Sequence, residues 1–194
     1  MTRFLWLRHG PTHQTVMTGW HDVPADLSDT GLMARVAAVL PADAVMVSSD
    51  LVRARATADA LAGPRLRLPD MADLREFHFG DWDGLHFSEV AARDPDLSRA
   101  YWETPGDIAP PNGESWNAAS ARIEAAVQRL AAAHPAGAVV VVAHFGTILT
   151  QVARTLGQPP AAALAQRIDP LSLTEITFAP QGRTLLRVNH LPRP

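Results

Sequence analysis

The sequence predicts a three-layer α/β/α fold around a mostly parallel central sheet, with an antiparallel hairpin at its C-terminal edge. Three observations lead there. The runs 4–7, 44–47 and 138–143 are short and apolar throughout, as strands covered on both faces are. Stretches with helical spacing alternate with them, the pattern of a layered α/β domain. Late in the chain, Pro180-Gln181-Gly182 separates two further strand-like runs, which is a hairpin signal. At 194 residues and 47% hydrophobic content, the chain has the size of one such domain, read as 1–194.

Taken in order, strand 4–7 stops at the turn pair Gly10-Pro11. Ser28 is placed to cap a helix through Leu32, Val36, Val39 and Leu40, which Pro41 ends. Strand 44–47 breaks at Ser48-Ser49-Asp50, an N-cap cluster, and a helix covers 51–61 before Gly63-Pro64. An extended piece at 66–68 leads to Leu74-Arg75-Glu76. Residues 77–111 are rich in aromatics and proline, with short helices at 87–93 and 95–102, and this segment is expected to form a small lid. Ser115 starts a helix to about His134, with Ile123, Val127 and Leu130 on one face and Pro135 as its stop. Strand 138–143 closes on His144-Phe145-Gly146, and a helix over 147–156 follows, ended by Gly157. Strands 173–178 and 184–188 flank the hairpin turn.

Composition removes several function classes. Without cysteine there are no disulfides, thiolate nucleophiles or Cys-ligated zinc. Without lysine there is no Schiff-base chemistry and no Walker-type phosphate loop. A net charge of −3 offers no general field for nucleic acid or an anionic membrane, so any anion site must be local. The apolar runs are too short for a signal peptide or a span, and a soluble, cytoplasmic protein is expected, monomeric or homodimeric.

Three strands end in reactive side chains. The first ends in Arg8-His9-Gly10, and the second in Ser49-Asp50 with Arg53 in the next helical turn. The run 138–143 ends in His144-Phe145-Gly146. Ligands of open α/β sheets bind beyond the carboxyl ends of the strands. If these strands are parallel neighbours, two histidines, two arginines and the N–H groups of helix starts converge, which is an anion site by charge and geometry. An arginine in a first helical turn opposes the helix dipole unless an anion sits there, so Arg53 points to function. A lone strand-end histidine is more often structural, and from the residues alone that reading stays open. A metal site is the rival use of eight histidines, but His9 and His13 straddle Gly10-Pro11 and no HExxH spacing exists. Gly113-Glu114-Ser115 lacks the second glycine of a serine nucleophile elbow.

Five segments, in order, resemble the signatures of the histidine phosphatase superfamily, also called phosphoglycerate mutase-like. They are Leu7-Arg8-His9-Gly10, the 49–58 segment beginning Ser49-Asp50-Leu51, the 74–84 segment from Leu74 to Gly84, Asn112-Gly113-Glu114-Ser115, and Val142-Ala143-His144. The resemblance implies a phosphomonoester hydrolase that needs no metal or cofactor and acts through a phosphohistidine. Its ligands would be a small phosphorylated metabolite and phosphate ion. It implies His9 as nucleophile, with its other ring nitrogen held by a backbone carbonyl. Arg8, Arg53 and His144 would surround the phosphoryl oxygens, and Glu76 would be the general acid. Thr18-Gly19-Trp20 resembles a substrate-contact turn, and Thr15 stands where many members place an asparagine on the phosphate. Pro11, Thr15, Phe145 and Asp83 depart from the usual pattern, and Phe145 is expected to narrow the pocket. The span through Trp102 to Glu114 loosely resembles α-ribazole phosphatases. The aromatics Trp82, Phe87, Tyr101, Trp102 and Trp116 suggest a partly apolar leaving group. A phosphoglycerate mutase is the runner-up, though the chain is short where mutases carry extra basic residues. A non-catalytic phospho-ligand binding module is the reading from another class.

Overall fold

The computed structural model describes residues 1–193. Among them six strands form one sheet: β1 (Thr2–Arg8), β2 (Val45–Ser48), β3 (Leu66–Arg67), β4 (Gly137–Ala143), β5 (Leu173–Ala179) and β6 (Gly182–His190). Seven α-helices connect or flank them: α1 (Thr30–Val39), α2 (Val52–Leu61), α3 (Phe87–Arg93), α4 (Pro95–Glu103), α5 (Trp116–Ala133), α6 (Phe145–Leu156) and α7 (Pro160–Leu164). The strand order is β3-β2-β4-β1-β5-β6. The first four run parallel and the C-terminal pair antiparallel, as expected.

The unbroken apolar runs are explained by two cores, one on each side of the sheet. Phe4, Trp6, Val139, Val141 and Ala143 face Ile123, Val127 and Leu130 of α5 and Ile148, Leu149 and Val152 of α6. The alternate positions Leu5, Leu7, Val140 and Val142 face Val36 of α1 and Ala54, Ala58 and Leu61 of α2. Thus β1 and β4 lie side by side at the sheet centre, and the helices that follow them leave to opposite faces. That is a topological switch point, where a crevice opens beyond the strand ends.

Several helix ends differ from expectation. Asp29, not Ser28, caps α1: its Oδ1 accepts the Leu32 N–H at 2.8 Å. The expected Ser48-Ser49-Asp50 cap of α2 is replaced by a distant one, with Asp22 Oδ1 accepting the Val52 N–H at 2.7 Å. Asp50 instead holds Arg75 through two hydrogen bonds of 2.8 and 2.7 Å. Helix α6 begins at Phe145, two residues early, with extended His144 at its N-cap. Helix α7, which the sequence pattern does not predict, starts at Pro160, because proline at a first helical position loses only an N–H that has no partner there anyway.

The expected lid is present as α3 and α4 around a small core of its own. Trp82, Val90 and Tyr101 are buried there with Met17, and the Trp82 indole N–H donates to Asp94 at 2.7 Å. Among the described residues, no helix is long and apolar enough to cross a membrane.

Candidate active site

Register brings the reactive strand ends together. Arg8 of β1 pairs with Ala143 of β4, and Ser48 of β2 pairs with Val142. The His9 N–H continues the ladder to Ala143 O at 3.0 Å, so His9 and His144 emerge side by side. Their rings lie 5.1 Å apart at 59°. Nδ1 of His9 is 2.7 Å from Gly10 O. A carbonyl only accepts, so Nδ1 carries the proton and Nε2 keeps its lone pair. Gly10 is held in turn by Thr57 of α2, whose Oγ1 accepts the Gly10 N–H at 3.0 Å.

The cations here, buried Arg53 and half-buried Arg8, donate to backbone carbonyls rather than to carboxylates. Arg53 is 1% exposed, and its terminal nitrogens donate to His21 O at 3.0 Å and Gly19 O at 2.6 Å. Arg8 donates to Ile168 O at 2.6 Å, and its guanidinium lies over the Phe145 ring at 5.5 Å. Nε of each arginine is buried with no partner, as are both ring nitrogens of fully buried His144. Such groups are costly to leave unsatisfied, by about 1–3 kcal/mol each, and their convergence fits an anion that accepts from them. Burial lowers the pKa of both arginines, and the Glu76 carboxylate opposes that effect in each.

Glu76 closes the group. Its Oε1 accepts the Phe77 N–H at 3.0 Å and its Oε2 accepts the Gly146 N–H at 3.0 Å, which sets the carboxyl at the N-terminus of α6. A Cβ at Gly146 would collide with Glu76 Oε1, so only glycine allows this approach.

A loop couples the lid to Arg53. The N–H groups of Gly19 and His21 donate to the two carboxylate oxygens of Asp83, each at 2.8 Å. The carbonyls of the same two residues take Arg53. Asp83 therefore positions an arginine it does not touch. Trp20 donates to Glu76 O at 2.8 Å and carries Arg75 over its ring at 4.7 Å, while Arg122 donates to the same carbonyl at 3.2 Å. Asp83 stands out in the sequence only as a departure from the family pattern and Arg122 does not stand out at all, since a polar residue on an amphipathic helix carries no mark of its target.

A cavity of about 460 Å³ opens over these groups, lined by Arg8, His9, Arg53, Glu76 and Thr18. His144 lies against the His9 ring, and Gly19 acts through its carbonyl on Arg53. Thr15 is exposed and off the lining, where Thr12 and Gln14 stand instead. The expected aromatic surface is also redrawn. Phe87 and Trp102 line the cavity with Phe79 and Phe145, whereas Trp82 and Tyr101 fill the lid core and Trp116 packs edge-on against Phe77 in the main core. Among the described residues, no three of His, Asp and Glu gather as a metal-holding group.

Burial and the Arg53 charge push the His9 pKa down to about 3, against the opposing effect of the Gly10 carbonyl; the Arg8 charge lowers it further. Burial and then Arg53 also hold His144 well below the ordinary histidine range. Both rings are therefore neutral near pH 7, and in the unfolded chain both would take a proton below about 6.5. Stability should be fully present above pH 6.5 and fall as pH drops from there towards 3. Each histidine should cost about 1.4 kcal/mol per pH unit once well below 6.5. Denaturant unfolding in phosphate-free buffer at pH 7.5, 6 and 5 measures this, and the His144→Gln variant should show a shallower acid slope. An unchanged slope would mean His144 is not held neutral in the fold.

With this geometry in place, comparison with known proteins gives a consistent result. Residues 4–191 match the model of the histidine phosphatase superfamily (branch 1). Curated mycobacterial relatives match at 32% identity over 96% of this chain, which spans about half, 53%, of their length. An adenosylcobalamin/alpha-ribazole phosphatase of Salmonella typhimurium is 31% identical over 85% of both chains. A glucosyl-3-phosphoglycerate phosphatase of Mycolicibacterium vanbaalenii is 39% identical over 81% of this chain and 75% of its own. The solved complex of a mycobacterial glucosyl-3-phosphoglycerate phosphatase with inorganic phosphate superposes at a TM-score of 0.83, with 32% identity over 97% of each chain.

Proposed function

Because the chain belongs to the histidine phosphatase superfamily, we propose that it is a metal-independent phosphomonoester hydrolase working through a phosphohistidine on His9, with a small phosphorylated metabolite as substrate. One observation carries this reading: neutral His9, its Nδ1 tied to Gly10 O, stands beside buried Arg53 and half-buried Arg8, whose guanidiniums donate to backbone carbonyls and keep an unpartnered Nε. The named phosphatases among its relatives support it.

The reaction has two displacements. In the first, the His9 Nε2 lone pair forms an N–P bond as the bond from phosphorus to the leaving oxygen breaks. Glu76, as the carboxylic acid, gives its proton to that oxygen, and an alcohol departs. In the second, water forms an O–P bond as N–P breaks, and the Glu76 carboxylate takes the water proton. Phosphate is released and His9 is neutral again. Throughout, Arg8, Arg53 and His144 bear on the phosphoryl oxygens, where charge is spread in the transition state. The Gly10 carbonyl steadies the Nδ1–H of the phosphorylated ring.

Arg8 and Arg53 are the only cations among the residues lining the cavity. They suit one phosphoryl group rather than the two of a mutase working with a bisphosphate. The test is phosphate release from a panel of monoesters, before and after dialysis against EDTA. Hydrolysis that survives dialysis is expected. Activity lost to EDTA and restored by zinc, magnesium or manganese would overturn the metal-independent mechanism.

A further inference from the structure

We propose that the outer part of the cavity is a leaving-group subsite for an uncharged aromatic or bulky apolar alcohol; the proposal rests on the phosphatase reading above. Every ionisable group that lines the cavity, Arg8, His9, Arg53 and Glu76, already belongs to the phosphoryl site. Beyond them, one wall comes from the lid. Trp102 lies between Phe79 and Phe87, with ring centroids 6.3 and 6.0 Å from its own. Phe145 of α6 and Leu164 of α7 complete the apolar lining. Phe87 is 52% exposed on the first turn of α3, a large apolar side chain left open where it lines the cavity.

The class of alcohol follows from what these walls cannot do. A leaving group bearing a carboxylate or a second phosphate would shed its hydration with no cation to replace it. A polyol would need several hydrogen-bonding partners. The polar side chains available are Thr12, Gln14 and Thr18, too few for a polyol, and two of them each give a donor to the protein itself: Thr18 Oγ1 donates to Val16 O at 3.1 Å and Gln14 donates to Thr12 O at 3.4 Å. A quaternary ammonium could stack on the aromatic faces, but the Arg8 guanidinium already occupies the Phe145 ring and would repel it. A planar or branched apolar group suits the faces of Trp102, Phe87 and Phe145.

The experiment compares monoesters of primary alcohols, so that the leaving oxygens are similarly basic: ethyl phosphate, 2-(2-naphthyl)ethyl phosphate, 3-phosphooxypropanoate and phosphocholine. The naphthylethyl ester should exceed ethyl phosphate in kcat/KM by about 10²-fold, with the two charged esters no better than ethyl phosphate. Phe87→Ala, a change at an exposed position, should cut the naphthylethyl-to-ethyl ratio several-fold, and Trp102→Ala should cut it further. A ratio near one, or a charged ester ahead of the naphthylethyl one, would overturn the proposal. Calorimetric binding of the same esters to the His9→Ala variant separates the two readings. If the wild type hydrolyses no ester, the phosphatase reading fails. Tighter binding of the naphthylethyl ester to His9→Ala would then still support the subsite, and equal binding of all four would overturn it.

Discussion

His9→Ala should lower turnover of every monoester by about 10⁵-fold or more, because no other imidazole, thiolate or amine lines the cavity to replace it. The chain has neither cysteine nor lysine. His144 is fully buried, and Ser49, at the end of β2, is buried with its hydroxyl accepting the Leu51 N–H at 3.3 Å. Rapid quenching of the wild type during turnover should trap an acid-labile, base-stable phosphate on the peptide that contains His9. Label on the peptide of His144 or Ser49 instead would move the nucleophile there. Circular dichroism at the assay pH checks that the variant is folded, and its stability should fall less steeply below pH 6.5 because one of the two histidines held neutral is gone. Loss of turnover in a folded variant then reads as chemistry.

Glu76→Gln should slow hydrolysis of an alkyl phosphate by about 10²–10⁴-fold. The amide keeps the volume of the carboxyl, but it cannot hand a proton to a departing alkoxide. Nitrophenolate is stable enough to leave without one, so the burst of nitrophenol from p-nitrophenyl phosphate should fall much less. Pre-steady-state measurement is needed because the second displacement of the proposed mechanism would also use Glu76, and steady-state rates mix the two steps. One structural complication is local: Oε1 and Oε2 each accept a backbone N–H, from Phe77 and Gly146, so the amide nitrogen of the variant faces a donor on one side. Any shift of the side chain that follows would slow both substrates alike, whereas loss of the acid separates them. If both first steps drop by the same factor, Glu76 is not the leaving-group acid.

The lid shows how far local pattern reaches. Density of aromatics in 77–111 correctly marked a segment with short helices and its own packing, because composition and helical spacing are local properties. Which rings look inward depended on side-chain direction along irregular backbone. Trp82 turns into the lid core because its indole N–H finds Asp94, twelve residues on, while Trp102 on the next helix is left facing the cavity. Thr15 shows the same limit: its position in the motif suggested the phosphate, yet the loop from Pro11 to Trp20 sets it outward and brings Thr12, Gln14 and Thr18 to the lining instead.

Legible from the order of residues alone were the sheet, from its unbroken apolar runs, and the convergence of His9, His144, Arg8 and Arg53, from the chemistry at the ends of those runs. Both rest on short-range regularities: a strand buried on both faces must be apolar at every position, and a parallel sheet must put its strand ends on one side. The contacts that hold the site could come only from the folded chain. Asp83 grips Gly19 and His21 across more than sixty residues, Asp22 caps α2 thirty residues away, and Gly146 meets Glu76 across seventy. Each is a hydrogen bond between groups brought together by packing of the layers and the lid, and neither residue type nor spacing along the chain encodes such a pairing.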